Sequence, residues 1–242
     1  MGDDEAIQHR YEAVDPTGPS TVSRLATVAA SSGYDGIVLR ESPTGIGSTE
    51  LKQISEQTGI SVVSGRTVTA TDRSRAGSEI ARLRTDVPVL FGSATAADIR
   101  HFLAGQERLD VLRIPGAMAG EVTHTTVTRA KEHGVYLELD LGPVLRKRGG
   151  RRVQAITGLR KLIDFVDHYD ADAVVTGSPT GHLELRSPRE LIGIAETVGL
   201  DAERIEDGIS AWHEIIERAV RVDDDRFIEP GVEIVPNEAN DR

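Results

Sequence analysis

Short apolar runs alternate along the chain with segments whose apolar residues recur every three or four positions. The apolar runs predict seven strands: Arg10–Val14, Gly36–Arg40, Ser61–Val68, Val87–Phe91, Asp110–Ile114, Val135–Leu141 and Ala173–Thr176. The helical spacing predicts seven helices: Ser20–Ser31, Ser48–Thr58, Ala94–Leu103, Val122–Glu132, Val153–Tyr169, Pro188–Val198 and Ile209–Arg221. Repeated alternation of strand and helix indicates parallel strands covered by helices, either as a closed barrel or as a doubly wound sheet.

Charged side chains on the predicted strands favour the barrel. Arg40 ends one strand and Arg113 lies near the end of another, while Glu138 and Asp140 share one face of a third. In a barrel lumen these opposite charges can pair, whereas in a sheet covered on both faces they would be buried alone at high cost. We therefore expect an α/β barrel with a network of ion pairs in its lumen. The two carboxylates could alternatively serve acid–base chemistry or hold a metal ion.

Length and composition indicate the domain organisation. The 242 residues suit one barrel domain, which we place at 10–221, after an N-terminal extension (1–9) and before an acidic C-terminal tail (222–242) with a short strand at Val232–Val235. There is no cysteine, no signal-peptide pattern and no apolar run of the roughly 18 residues that a membrane span requires, so we expect a cytoplasmic protein without membrane contact. A net charge of −11 with four lysines among 28 basic residues is typical of a salt-loving organism.

A run of positive charge interrupts this acidic background immediately before the predicted helix Val153–Tyr169. It consists of Arg146, Lys147, Arg148, Arg151 and Arg152. Cations are locally unfavourable at a helix N-terminus, so the run is best explained if an anion such as phosphate binds there. The alternative is a solvated loop whose cations pair with acidic residues elsewhere. The net negative charge of the chain argues against nucleic acid, because affinity for phosphate normally rests on a basic surface.

A second helix start is also flanked by cations. Ser187, Pro188 and Glu190 match an N-cap, the first helical position and a capping box, which need no functional explanation. Arg186 and Arg189 add positive charge on either side, so the argument for an anion applies here more weakly.

Metal and nucleotide motifs are missing from the sequence. The seven histidines show no H-x-H, H-x-x-E-H or H-E-x-x-H spacing, and we predict no metal site in this chain. His182 is isolated and is interpreted as a solvent-facing loop histidine. There is likewise no G-x-S-x-G elbow, P-loop or G-x-G-x-x-G.

Two segments carry a family resemblance. They are Glu138-Leu-Asp-Leu-Gly-Pro-Val-Leu-Arg146 with the following Gly149-Gly-Arg-Arg152, and Glu184-Leu-Arg-Ser-Pro-Arg-Glu190 preceded by Thr176-Gly-Ser178. On these residues the chain resembles the archaeal family of ribonuclease P protein component 3, from Tyr11 to about Val220. The resemblance implies an irregular TIM-like β/α barrel related to the polymerase-and-histidinol-phosphatase superfamily but without its metal ligands. The first strand agrees, because it lacks that superfamily's histidine pair.

The resemblance also implies a function. The chain would be a noncatalytic protein subunit of the endoribonuclease ribonuclease P, assisting RNA-catalysed removal of the 5′ leader from precursor tRNA. Implied partners are the ribonuclease P RNA, precursor tRNA, protein component 2 and other holoenzyme proteins. No cofactor would bind this chain, and the holoenzyme would use divalent metal. The cations expected to contact RNA or a partner are Arg146, Lys147, Arg148, Arg151, Arg152, Arg186 and Arg189.

Two alternatives belong to other classes of protein. A stand-alone metal-dependent β/α-barrel phosphoesterase would place Glu138, Asp140 and His182 at the barrel mouth. A barrel that serves only as a protein-docking scaffold would leave the basic run without an RNA ligand.

Overall fold

Eight parallel strands, one antiparallel strand pair and ten α-helices make up the part of the chain that the structure describes. The computed structural model describes residues 9–114, 116–223, 227–229 and 232–233. The strands are Tyr11–Val14 (β1), Gly36–Leu39 (β2), Ser61–Val63 (β3), Gly65–Thr69 (β4), Val89–Ser93 (β5), Val111–Arg113 (β6), Tyr136–Asp140 (β7), Ala173–Thr176 (β8), Phe227–Glu229 (β9) and Val232–Glu233 (β10). The helices are Val22–Ser31 (α1), Ser48–Thr58 (α2), Arg73–Leu83 (α3), Ala97–Leu103 (α4), His124–Glu132 (α5), Gly142–Arg146 (α6), Gly149–Tyr169 (α7), Pro188–Thr197 (α8), Ala202–Ser210 (α9) and Trp212–Asp223 (α10). Gly116–Glu121 and His182–Glu184 are 3₁₀ turns.

The eight parallel strands form two sheets, in the orders β1-β2-β3 and β4-β5-β6-β7-β8. One chain segment continues from the first sheet into the second, because β4 begins two residues after β3 ends. The predicted single strand Ser61–Val68 is therefore broken at Ser64. Across this break Ser42 N donates to Gly65 O at 3.0 Å, and Gly65 N donates to Ser42 Oγ at 3.2 Å. The two sheets together make the predicted irregular barrel.

Alternation along the strands separates two apolar clusters. Tyr136 of β7 faces the lumen, whereas Leu137 and Leu139 face the helices. The lumen cluster comprises Tyr11, Ala13, Val38, Val89, Phe91, Val111, Tyr136, Val174, Trp212, Ile215 and Ile216. A larger cluster between strands and helices forms the rest of the core. The charged positions of the strands therefore continue the lumen pattern toward the carboxyl ends.

Helix α10 covers the amino ends of the strands. Trp212 is fully buried and donates from Nε1 to Val175 O at 2.9 Å. Tyr136, the first residue of β7, donates its hydroxyl to Glu214 Oε2 at 2.8 Å. Because this end is filled, side chains that could meet a partner through the barrel lie at the carboxyl ends, where β/α barrels carry their function.

The sequence pattern did not predict three of the observed helices: α3, α6 and α9. In α3 the buried positions are Ala76, Ile80 and Leu83, and the remaining residues are mostly charged or polar, so its apolar stripe is weak. Asp72 caps it by accepting a hydrogen bond from Arg75 N at 2.9 Å. The structure also starts α7 at Gly149, earlier than the predicted Val153, because its first turn contributes no apolar residue to the core.

The predicted extension and tail fall largely outside the described residues. Of the extension (1–9) the structure describes residue 9. In the tail (222–242), β9 and β10 pair antiparallel, and the predicted strand Val232–Val235 is described for its first two residues. Among the described helices, none has both the length and the apolar composition needed to cross a membrane.

Candidate nucleic-acid interface

A buried ion-pair network fills the lumen at the carboxyl ends of β2, β6 and β7. Arg40 Nη2 lies 2.9 Å from Glu138 Oε1, and the two side chains are 1% and 2% exposed. Arg113 Nε lies 3.3 Å from Glu138 Oε2. The lumen charges predicted from the sequence therefore meet at one carboxylate, held between two guanidinium groups.

Further polar contacts hold Arg40 in place. Its Nη2 donates to Ser178 Oγ at 2.8 Å and to Thr176 Oγ1 at 3.2 Å, and its Nε donates to Ala13 O at 3.3 Å. Burial lowers the pKa of Arg40, but the neighbouring carboxylates of Glu138 and Asp140 outweigh burial and raise it. Arg40 is therefore a permanent buried cation.

Asp140, the last residue of β7, completes the network. Burial and the charge of Glu138 raise the pKa of Asp140, while Arg40 opposes the rise. Its Oδ1 accepts a hydrogen bond from Gly142 N at 2.8 Å, which ties the end of β7 to the start of α6. Asp140 thus has a structural role in positioning the segment that leads to the basic run.

Glu12 is a buried carboxylate that sequence reasoning did not single out. It is 1% exposed, and it accepts hydrogen bonds from Gly177 N at 3.1 Å, from the Tyr34 hydroxyl at 3.1 Å and from the Thr176 hydroxyl. Burial raises its pKa to about 7, against the lowering effect of these donors and of Arg40. The sequence feature that could have identified Glu12 is its position as a carboxylate inside an otherwise apolar strand. Its contacts join β1 to the end of β8, two strands that share no ladder.

The described residues at the mouth of the barrel do not fit a metal ion. Within the described part of the chain, no group of three or more His, Asp or Glu side chains is placed to hold one. Glu138 is already engaged by Arg40 and Arg113, and their guanidinium groups occupy the space beside it. His182 is bonded to Ser20 instead: its Nδ1 lies 2.9 Å from Ser20 Oγ, and its backbone N donates to the same oxygen at 3.0 Å. It is half-buried and is therefore not the solvent-facing histidine that the sequence predicted.

Arg146 folds back onto the barrel. It donates from Nη1 to Gly177 O at 2.8 Å and from Nη2 to Ser178 O at 2.9 Å, and it lies 3.8 Å from Glu184. A Cβ at Gly142 would lie 2.1 Å from Arg146 Nη2, so the guanidinium crosses a space that a side chain there would fill. Arg146 therefore joins α6 to the segment after β8.

The other four cations of the run form an exposed group, which we call the basic surface: Lys147, Arg148, Arg151 and Arg152. None of these four side chains makes a hydrogen bond or ion pair with a described residue. Arg148 is the N-cap of α7 without a side-chain cap, and Gly149 adopts φ +54°. The described acidic residues therefore do not form the pairs that the alternative of a solvated loop expects for these four cations.

The two cations at the start of α8 also differ in whether they have a partner within the described chain. Arg186 donates from Nη1 to Leu185 O at 2.9 Å and to Leu183 O at 3.1 Å, so it stabilises its own loop. Arg189 is exposed and has no partner among the described residues. Ser187 and Glu190 form the predicted capping box at the start of α8. The role of these cations toward RNA stays a prediction.

The chain matches a protein family over most of its length. The model of the family RNase P subunit p30 matches residues 4–222. Ribonuclease P protein component 3 of Halobacterium salinarum is 45% identical over 224 residues, covering 92% of this chain and 96% of the relative. The protein of the same name from Natronomonas pharaonis is 41% identical over 228 residues, covering 93% and 94%.

Solved structures share the fold. A chain in the cryo-EM structure of archaeal ribonuclease P with mature tRNA aligns with a TM-score of 0.80 at 17% identity, over 95% of this chain and 99% of that chain. A chain assigned as the histidinol phosphatase of Listeria monocytogenes aligns with a TM-score of 0.53 at 7% identity, over 73% and 97%. At these identities the likeness establishes the fold.

Fold and site together define a TIM-like β/α barrel whose mouth is filled by ion pairs and bordered by an exposed basic surface. The predicted fold class is confirmed. The chain belongs to the RNase P subunit p30 family and is a protein subunit of ribonuclease P. The predicted role as a subunit of ribonuclease P is confirmed over the alternative of a stand-alone phosphoesterase.

Proposed function

We propose that this subunit contacts RNA through its basic surface and leaves the cleavage of precursor tRNA to the RNA subunit of ribonuclease P. The observation that carries the proposal is the set of cations Lys147, Arg148, Arg151 and Arg152, which have no partner among the described residues although the chain has a net charge of −11. Many other exposed arginines of the described chain pair with carboxylates, as Arg82 does with Asp86. Unpaired cations so close together match the phosphate groups of RNA.

The barrel mouth supports a noncatalytic role. A general base or nucleophile must reach substrate with a free acceptor. Glu138 is 2% exposed and lies between Arg40 and Arg113, so both of its oxygens face guanidinium groups. We expect the divalent metal of the holoenzyme to be held by the RNA, since no group of three or more His, Asp or Glu side chains among the described residues is placed to hold one.

The expected partners are those that the family resemblance implies. We expect the basic surface, with Arg189, to meet the ribonuclease P RNA or precursor tRNA, while other faces of the barrel bind protein component 2 and further holoenzyme proteins. Arg146 and Arg186 would act by positioning the loops that present these cations, because each is bonded to carbonyl groups of its own chain. A cytoplasmic location agrees with a role in tRNA processing.

Reconstitution tests the proposal. Ribonuclease P is assembled from its cognate RNA and all of its protein subunits, with wild-type chain, without it, or with Arg151→Ala/Arg152→Ala. We expect omission to lower cleavage of precursor tRNA, and the double variant to require more protein for the same rate. Arg24→Ala/Lys52→Ala is the matched control, because both side chains are exposed and also unpaired among the described residues.

Two results would contradict the proposal. Equal cleavage with and without the chain would exclude an assisting role. Cleavage that disappears with Glu138→Gln although the variant still folds and assembles would move chemistry into the barrel.

A further inference from the structure

We infer that the basic surface binds the phosphate backbone of double-helical RNA without selecting its base sequence. This inference rests on the proposed function and deepens it by naming the form of RNA that Lys147, Arg148, Arg151 and Arg152 contact.

The basic surface offers only hydrogen-bond donors. An ammonium and three guanidinium groups offer hydrogen-bond donors and no acceptor. Phosphate oxygens are acceptors on every nucleotide, and the guanidinium fork matches two of them at once. Arg and Lys can read the paired acceptors of guanine in a wide major groove, but the major groove of double-helical RNA is too deep and narrow for side chains to enter. The surface is therefore suited to positioning a backbone rather than to reading a sequence.

Among the side chains that the structure describes, α7 carries no aromatic ring near the basic surface on which an unpaired base could stack. The chain has nine Phe, Tyr and Trp residues in total (four Phe, four Tyr and one Trp). Those of α7 are Phe165 and Tyr169, at least 13 residues beyond Arg152, which corresponds to about 20 Å along the helix axis. The large hydrophobic side chains that the described residues expose, Val153 at 62% and Leu183 at 79%, are aliphatic. Recognition of single strands normally depends on stacking on aromatic side chains.

The cations lie close together. Arg148, Arg151 and Arg152 span slightly more than one turn at the start of α7, a rise of about 6 Å along its axis. A duplex already holds its phosphates at fixed spacing, whereas a flexible strand must be ordered on binding at an entropic cost. Because no stacking energy offsets that cost here, the duplex is the better ligand.

Fluorescence anisotropy with the full-length chain tests the inference. The probes are two RNA hairpins with unrelated stem sequences and one unstructured RNA of equal length, all at the same salt concentration. We expect the two hairpins to bind within about threefold of each other and the unstructured strand at least about tenfold more weakly. Replacing all four cations by Ala should remove the preference, while Arg24→Ala/Lys52→Ala should keep it.

A gain of function sharpens the test. Val153→Trp adds an exposed aromatic ring next to Arg152. We expect it to tighten binding of the unstructured strand by about five- to hundredfold and to leave the hairpins nearly unchanged.

The possible results of these binding experiments distinguish failure of the inference from failure of the proposed function. Binding that depends on the four cations but favours the unstructured strand, or differs more than about tenfold between the two stems, overturns the inference and leaves the RNA contact in place. Such a result would mean that the arginine planes stack on bases or read their edges. Binding that is undetectable, or unchanged by loss of the four cations, overturns both.

Discussion

Arg40 Nη2 lies 2.9 Å from Glu138 Oε1 in the barrel lumen, and neither side chain is more than 2% exposed. Removing one partner of a buried pair leaves an uncompensated charge, so we expect Arg40→Met to lower the free energy of unfolding by roughly 3–5 kcal/mol. Denaturant unfolding measures this loss. The surface pair of Arg82 and Asp86, 3.8 Å apart, is the control, and Arg82→Met should change stability by less than about 0.5 kcal/mol.

The double variant Arg40→Met/Glu138→Met should cost less than the sum of the two single variants, because it removes both charges together. We expect a coupling of about 0.5–3 kcal/mol in the double-mutant cycle. Strict additivity would show that the pair does not interact as its geometry indicates.

Glu12 should make stability depend on pH. Its pKa rises on folding to about 7 from an ordinary value of 4.5, so the folded state holds its proton more tightly. The stabilisation that protonated Glu12 gives to the folded state is fully present below pH 4.5. It is lost as the pH rises through about 7, which lowers the free energy of unfolding by roughly 3 kcal/mol in total. Glu12→Gln removes this contribution, since the amide does not titrate. As the pH rises from 4 to 8, the free energy of unfolding of the wild type should therefore fall relative to that of the variant. Denaturant unfolding of both proteins at several pH values in this range measures the difference. A constant difference would show that Glu12 keeps the same protonation state throughout.

Gly142 and Gly150 should respond in opposite ways to alanine. A Cβ at Gly142 would meet Arg146 Nη2 at 2.1 Å and Gly177 O at 2.9 Å, so Gly142→Ala displaces the guanidinium and should cost about 1–3 kcal/mol. Nothing lies within 4 Å of a Cβ at Gly150, in the first turn of α7. Gly150→Ala should therefore be neutral or stabilise by up to about 1 kcal/mol. Thermal unfolding compares the two variants, and equal losses would contradict the close approach of Arg146.

Loss of cations from the basic surface should flatten the salt dependence of RNA binding. Each phosphate contact removed reduces the log–log slope by about one, so Arg151→Ala/Arg152→Ala should reduce it by up to about two. The measurement is the apparent affinity of the assembled protein subunits for ribonuclease P RNA at several salt concentrations. The pair Arg24→Ala/Lys52→Ala should leave the slope unchanged; a similar reduction there would mean that the basic surface has no special role.

The barrel and its lumen charges could be predicted from the sequence because both follow from local alternation. Residues two apart on a strand share a face, so spacing alone places Glu138 and Asp140 together. The short apolar runs placed the strands near their observed positions. Helix α3 was missed because three small or isolated apolar residues produce too weak a stripe.

The pairings across the barrel depended on tertiary structure. Glu12 meets Thr176 and Gly177 more than 160 positions away, a proximity that no local pattern encodes. The basic run looked uniform in the sequence, yet the fold turns Arg146 back onto the carbonyl groups of Gly177 and Ser178. The other cations of the run have no side-chain partner in the part of the chain that the structure describes. Residue type and spacing by themselves determined that cations gather at the start of a helix after a strand. Only the packed structure decided which of these cations already have hydrogen-bond partners within the chain. The partner atoms belong to the segment after β8, which α7 separates from Arg146 in the sequence, so packing alone brings them together.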